Sequence, residues 1–214
     1  MSHFRVLSAL MSYPDQDLLD ALPAIESWQR EHGAELDLAP LFAHMHQHDL
    51  IGLQEYYVAT FDRTPSHSLH LFEHVHGESR DRGSAMVDLM EEYRKFGFEP
   101  VETELPDFLP LFLECLGHIP PEAAQPLLDD AIHVIHAIGE RLQRSGNPYG
   151  CLFASLRALA RVEPKPLTEP PIRDMDEMLE TFGPGADGSE PLLKPADSQT
   201  VKFWPKQSMQ HGRA

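Results

Sequence analysis

The sequence is poor in cysteine: its 214 residues hold only Cys115 and Cys151, which form no C-x-x-C pair. So sparse a set excludes the disulfide framework of a small secreted domain and a thiolate zinc site. Long apolar runs are also missing. No stretch approaches the roughly 18 apolar residues of a membrane span, and the N-terminal run is too short and interrupted for a signal peptide. We therefore expect a cytoplasmic protein without direct membrane insertion.

Basic residues are scarce as well. The chain has 17 Lys and Arg against 34 Asp and Glu, and residues 1–160 alone hold 10 basic and 25 acidic side chains. So acidic a globule repels phosphate backbones, which disfavours nucleic acid as a partner. It attracts basic partners, such as a peptide bearing Lys or Arg.

Alternating apolar and polar stretches, the mark of strands, are absent, whereas helical spacings recur along the chain. We predict helices over residues 4–11, 15–33, 40–61, 79–97, 104–116, 122–144 and 149–160. Pro106 is expected in the first turn of the 104–116 helix, and Pro110 is expected to disturb it. The length suits one domain with a proper core. We predict a single all-α helical bundle over residues 1–162.

The composition changes after Val162. Residues 163–214 hold eight of the 19 prolines. We predict a mobile, Pro/Gly-rich C-terminal tail with a short helix at 174–182. An isolated apolar segment, VKFWPK at 201–206, has no assigned role.

Residues 68–83, SLHLFEHVHGESRDRG, form a dense block of aromatic, imidazole and charged groups, which we call the first block. Its HLFEH segment matches the H-x-x-E-H pattern of inverted zinc peptidases. On a helix, His70 and His74 would share one face beside Glu73 as a base. Because nothing marks a third ligand, a zinc hydrolase is kept only as the alternative. We expect no metal, no cofactor and no catalytic residue.

A second block, ELPDFLPLFLE at 104–114, follows. Together with the Tyr57-x3-Phe61-Asp62 pattern and the first block, it resembles the NarJ-type nitrate reductase assembly chaperones of the wider TorD-like group. The resemblance covers residues 1–160. The wider group more often has histidine where this chain has Phe108, so no histidine role is carried over to that position.

The resemblance implies an all-helical, cytoplasmic protein that is not an enzyme. Such chaperones bind the N-terminal segment of the apo catalytic subunit of a respiratory nitrate reductase. They keep that subunit competent for molybdenum cofactor insertion and delay its docking to the membrane. The implied binding residues come from both blocks: His70, Phe72, Glu73, His74, Arg80, Asp81, Arg82, Glu104, Asp107 and Phe108.

The residues themselves favour a related arrangement, in which a peptide helix lies in an apolar groove with an acidic rim. The expected groove residues are Leu71, Phe72, Phe108, Leu109 and Phe112. The expected rim carboxylates are Asp62, Glu73, Glu104 and Asp107. Glu78 belongs to the adjoining charged run, whose arginines we expect to pair with Glu73 or Glu78. We expect a monomer, and an acidic helical adaptor for another basic partner stays open as a further alternative.

Overall fold

The computed structural model describes residues 2–33, 36–77, 79–99 and 104–167. Within these ranges the chain forms nine α-helices and no strand, which confirms the all-α prediction. The helices are α1 His3–Met11, α2 Gln16–His32, α3 Ala39–Gln47, α4 Leu50–Tyr57, α5 Glu73–His76, α6 Asp81–Lys95, α7 Leu109–His118, α8 Pro121–Arg144 and α9 Gly150–Leu159. A π-helical turn, Val58–Asp62, continues α4, and a 3₁₀ turn, Pro65–His67, follows it.

The predicted starts and stops of the first two helices are confirmed. The Asp15 carboxylate accepts a hydrogen bond from the backbone N–H of Leu18 at 2.8 Å and so caps α2. At the other end, the backbone N–H of Gly33 donates to the carbonyl of Gln29 at 2.8 Å. Pro23 lies inside α2 without dividing it.

The single helix predicted over 40–61 is wrong, because the chain breaks between α3 and α4. His48 has an extended backbone there, with φ −126° and ψ 149°. The Asp49 carboxylate accepts from the backbone N–H of Gly52 at 2.9 Å, which starts α4 as a separate helix. A side-chain cap of this kind competes with continuous helix at the same residues.

The predicted start of the second-block helix is also wrong. Residues 104–108 are not helical, and α7 begins at Leu109. Pro110 therefore occupies the first turn of α7, where a missing N–H leaves no hydrogen bond unmade. The expected disturbance of the helix does not arise.

The core lies where α7 and α8 meet their neighbours. α1 packs against α7, and α9 packs against α8. The Ser8 hydroxyl donates to the carbonyl of Pro110 at 2.7 Å and ties α1 to the start of α7. Leu128, Ile132 and Ile135 of α8 are fully buried, and each such side chain stabilises the fold by about 1.5–3 kcal/mol. No helix in the described ranges combines the length and apolar character needed to cross a membrane.

The first residues of the predicted tail run along α8. The backbone N–H of Lys165 donates to His133 Nδ1 at 3.0 Å, and Leu167 packs against the core. The domain limit at residue 162 and the mobility of the tail stay predictions. The predicted helix at 174–182 and the 201–206 segment lie outside the described residues.

Candidate functional site

The two blocks meet through a short antiparallel bridge between His70 and Phe108. The backbone N–H of Leu71 donates to the carbonyl of Asp107 at 3.0 Å, and the N–H of Leu109 donates to the carbonyl of Leu69 at 2.8 Å. Two stretches far apart in sequence are therefore held side by side by their backbones.

Asp107 lies beneath this bridge with none of its side chain exposed. Its Oδ2 accepts from the backbone N–H of Phe72 at 3.0 Å, and its Oδ1 lies 3.4 Å from His70 Nδ1. A buried carboxylate is costly unless such donors surround it. The expected place of Asp107 at a solvent-exposed rim is wrong, since the carboxylate fastens the first block to the second from inside.

His70 is the partly exposed member of this pair. The hydrogen bond to Asp107 raises the pKa of His70, and the negative charges of Asp107 and Glu73 act in the same direction. Partial burial and the positive charge of Arg82 oppose that rise in the pKa. The imidazole ring lies 5.3 Å from the ring of Phe108, so an ionisable and an apolar surface adjoin.

Glu73 connects α5 to the preceding turn and to α6. The hydroxyl of Ser68 donates to Glu73 Oε2 at 2.6 Å, and the Arg82 guanidinium donates to Oε1 at 3.2 Å. Both ionic side chains are about one-quarter exposed. The predicted pairing of an arginine with Glu73 is confirmed for Arg82.

A pocket of about 440 Å³ opens between the π-helical turn, the first block and Phe108. We call it the candidate pocket. Its lining residues are Tyr57, Phe61, Asp62, Pro65, Ser68, Leu69, His70, Glu73, Gly77, Arg82 and Phe108. The volume lies within the range of small-ligand and peptide side-chain sites. An apolar floor under ionisable groups suits a ligand that is both apolar and charged.

Five of the predicted site residues are brought together in the candidate pocket: Asp62, His70, Glu73, Arg82 and Phe108. Asp62 is the last residue of the π-helical turn, which inserts an extra residue into the helical repeat. Such turns are frequent at functional sites. Gly77 has φ 52°, a value that favours glycine, and it turns the chain back at the edge of the pocket.

Four predicted groove residues lie elsewhere. Leu71, Phe72, Leu109 and Phe112 are each at most 2% exposed and belong to the core. Their expected place on a groove wall is therefore wrong in this structure. The only one of the five predicted groove residues on the candidate pocket is Phe108.

The remaining predicted residues border the site or fall outside the described ranges. Arg80 and Asp81 are exposed where α6 begins, and Glu104 is exposed before α7. Burial raises the pKa of Tyr57 in the pocket floor, and the charges of Tyr149, Asp62 and Glu104 raise it further. Glu104 is thus near enough to act on the floor electrostatically. Glu78 lies outside the described residues.

The zinc-peptidase interpretation fails on geometry. His70 precedes α5, so it shares no helix face with His74. His74 is 2% exposed, and its Nε2 lies 2.8 Å from the backbone carbonyl of Ser68. A carbonyl only accepts, so that nitrogen carries a proton and is not free to bind zinc. No group of three or more His, Cys, Asp or Glu in the described ranges has a metal-binding arrangement.

Sequence reasoning missed the floor of the candidate pocket. Tyr57 and Phe61 were assigned to the apolar face of the 40–61 helix and to the family resemblance, and not to a binding site. Their spacing of four places both rings on one side of a helix. Their rings lie 4.9 Å apart, and both side chains are 4% exposed. Pro65, Ser68 and Gly77 have turn, cap and break signals in the sequence, but residues of this kind are common in connections and do not identify a pocket.

Comparison with known proteins identifies relatives of this chain. The sequence profile described as "Nitrate reductase delta subunit" matches residues 26–155. The nitrate reductase molybdenum cofactor assembly chaperone NarJ of Escherichia coli K12 is 38% identical over 95% of this chain and 86% of its own length.

Two further relatives carry the same description, qualified as probable. NarW of Escherichia coli K12 is 39% identical over 75% of this chain and 68% of its own length. NarJ of Bacillus subtilis 168 is 32% identical over 72% of this chain and 86% of its own length. These relatives are assembly chaperones by name, not catalysts, which agrees with the prediction that the chain is not an enzyme. The chain belongs to the nitrate reductase delta subunit family.

Proposed function

We propose that this protein is a cytoplasmic assembly chaperone for a respiratory nitrate reductase. In this proposal it binds the N-terminal segment of the apo catalytic subunit, keeps the subunit competent for molybdenum cofactor insertion, and releases it for membrane docking afterwards. The observation that carries the proposal is the candidate pocket, in which both sequence blocks meet. The names of the relatives support the choice of client.

The candidate pocket suits a basic, amphipathic peptide. Tyr57, Phe61 and Phe108 supply an aromatic surface for an apolar side chain. Asp62 is exposed and has no ion-pair partner within the described part of the chain, so its charge is available to a Lys or Arg of the peptide. An exposed ion pair contributes only about 0–1 kcal/mol, so apolar contact supplies most of the affinity and charge sets orientation.

The Glu73–Arg82 pair gives the same pocket a second polar wall. Arg82 neutralises Glu73 in the free protein at 3.2 Å. An incoming basic side chain would compete with Arg82 for that carboxylate, which would free Arg82 for a backbone carbonyl or a carboxylate of the peptide. Such an exchange favours a peptide with an exposed basic end over a purely apolar one.

Calorimetric titration tests the binding step. The full chain is titrated with the first residues of the cognate catalytic subunit, about 15 of them, which suffice for four helical turns. We expect saturable one-to-one binding by the monomer. Phe108→Ala should weaken it at least fivefold, whereas Leu105→Ala, an equivalent truncation of an exposed side chain outside the pocket, should not. Absence of binding by the unmodified protein contradicts the proposal.

Metal analysis tests the consequence for the client. The catalytic subunit is purified from cells that contain the chaperone, lack it, or carry the Phe108→Ala form. We expect molybdenum per catalytic subunit to fall in the second and third cases. Full molybdenum loading without the chaperone would show that cofactor insertion is not the step it serves.

A further inference from the structure

A basic stretch that contains two aromatic residues lies at residues 198–214. Residues 198–214 contain Lys202, Lys206 and Arg213 and no Asp or Glu, whereas residues 1–160 carry 25 acidic and 10 basic side chains. Phe203 and Trp204 stand between the two lysines, in the segment VKFWPK at 201–206. Aromatic side chains flanked by cations are the chemistry that the candidate pocket suits. The segment lies outside the described residues.

We propose that segment 201–206 of this same chain occupies the candidate pocket when no client peptide is bound. The tail then acts as an internal competitor that the client must displace. This inference rests on the proposed function, because it takes the candidate pocket as the client site. It assigns an occupant to the pocket and a role to a segment that the proposed function leaves unused.

Chemical complementarity is the first argument. The pocket offers the aromatic rings of Tyr57, Phe61 and Phe108 to an indole or phenyl ring. Asp62, exposed at its edge, matches one lysine ammonium group of the segment, and the second lysine would compete with Arg82 for Glu73. A lysine beside the Phe108 ring gains a cation–π contact as well. A second groove, lined by Tyr13, Ile51 and Val58, balances Glu55 with Arg63 and offers no excess of negative charge. A third groove, lined by Phe98, Glu99 and Glu114 among others, is acidic but has a volume of only about 220 Å³, half that of the candidate pocket.

Chain length is the second argument. Leu167 packs on the core, and the 33 residues 168–200 separate it from Val201. A coil of that length has a root-mean-square span of about 30–35 Å. A domain of this size has a radius of gyration of about 15 Å, so the connection reaches any point on its surface. A tether of this kind gives an effective concentration on the order of 1 mM. Even an interaction with a dissociation constant near 0.1 mM would then fill most of the pocket.

The expected consequence is a lower apparent affinity for the client. With the pocket about nine-tenths filled by the tail, the apparent dissociation constant rises about tenfold. Basic clients with a strong apolar anchor displace the tail, while weaker peptides do not. The tail therefore raises selectivity for the cognate peptide.

Trp204 provides a direct reporter, because the chain has only one other tryptophan, Trp28. In the full chain carrying Trp28→Phe, we expect Trp204 emission to be shifted to shorter wavelength and protected from acrylamide. Saturating client peptide, with any tryptophan replaced by phenylalanine, should abolish both effects. The difference between the unmodified chain and Trp204→Phe gives the same signal if Trp28→Phe disturbs α2.

Charge variants in the full chain test competition. Lys202→Glu with Lys206→Glu should expose Trp204 and lower the dissociation constant for the client about tenfold. Arg173→Glu with Lys194→Glu makes the same change in net charge elsewhere in the tail and should do neither. Phe108→Ala should also expose Trp204, whereas Ile51→Ser, in the second groove, should leave it protected.

Two results overturn the inference: equal acrylamide quenching of Trp204 in the free protein and in the protein that calorimetry shows to be saturated with client, or exposure by Ile51→Ser but not by Phe108→Ala. Failure of the proposed function alone would give a different result. If client peptide binds no form of the protein while Phe108→Ala still exposes Trp204, the tail occupies the pocket and the client assignment is wrong.

Discussion

The carboxylate of Asp107 accepts a hydrogen bond from the backbone N–H of Phe72 at 3.0 Å, with both residues in the interior. This single contact joins the second block to the first beneath the candidate pocket. The same carboxylate also faces His70, which lies on the pocket surface. Asp107 therefore positions His70 in the pocket wall, but Asp107 does not itself line the pocket.

Asp107→Ala should destabilise the fold rather than only weaken peptide binding. The substitution leaves the buried N–H of Phe72 without an acceptor, which costs about 1–3 kcal/mol. Asp107→Asn keeps an acceptor oxygen of the same shape and should lose less than half as much. Urea unfolding followed by circular dichroism measures both.

Asp62→Ala is the matched control, because it removes an exposed carboxylate and should change stability by no more than about 0.5 kcal/mol. Equal stability of the Asp107→Ala and Asp62→Ala proteins would contradict the anchoring role of Asp107.

Gly139→Ala should loosen the contact of α8 with α9. A Cβ at this position would lie 2.6 Å from the Cβ of Phe153, closer than such atoms approach. We expect a net loss of about 1–2 kcal/mol, after the gain from alanine's higher helix propensity is subtracted. Thermal unfolding measures the loss.

Gly83→Ala tests the same chemistry without the clash. Gly83 lies in α6, and an added Cβ there meets nothing within 4 Å. Only the propensity gain remains, so this variant should be more stable by up to about 1 kcal/mol. A stabilised Gly139→Ala protein would show that α9 can shift away from α8 at little cost.

Much of the fold could be predicted because its signals are local. Asp15 and Gly33 mark helix ends through residues a few positions away, and the apolar spacing of α8 identifies a buried face. The break at Asp49 was missed because its cap competes with an apolar pattern that continues across it. The start of α7 was misplaced because Pro106 and Pro110 both suit a first helical turn, and pairing with the first block decides between them.

The candidate site was harder to predict, because density of chemistry does not reveal which side chains face solvent. Asp107 and Phe72 stand in the same blocks as His70 and Phe108, yet the first two are buried and the last two line the pocket. The difference arises from the backbone bridge between the blocks, which no local pattern encodes. The π-helical turn that positions Asp62 also could not be predicted from the spacing of apolar residues.

His70 should make stability depend on pH in a definite direction. Its pKa in the folded protein is raised, chiefly by the hydrogen bond to Asp107, above the ordinary value of 6.5. The protonated form is therefore favoured by folding. Its contribution is fully present below about pH 6.5 and is lost as the pH rises through the folded-state pKa.

Comparison of the unmodified protein with His70→Gln isolates this contribution, because His44, His76 and His133 have lowered pKa values and act in the opposite direction. The stability difference between the two proteins, measured by urea unfolding, should shrink as the pH rises from about 6 to about 8.5. A difference that grows over this range would mean that His70 is folded in its neutral form.

Asp62→Asn should weaken client binding by slowing association while leaving the fold intact. The carboxylate is exposed at the mouth of the candidate pocket, so its charge acts on the approaching peptide more than on the packed complex. An exposed ion pair worth about 0–1 kcal/mol corresponds to a loss of up to about fivefold in affinity. Stopped-flow mixing with labelled client peptide at two salt concentrations separates the association rate from the dissociation rate. At high salt, where charges are screened over a few ångströms, the unmodified protein should no longer associate faster than the Asp62→Asn protein.

Asp88→Asn, an equal change of charge on the exposed face of α6 outside the pocket, should leave the association rate nearly unchanged. Equal slowing by Asp62→Asn and Asp88→Asn would mean that the client responds to the overall negative charge of the domain, and that the carboxylate beside the aromatic floor has no special place in recognition.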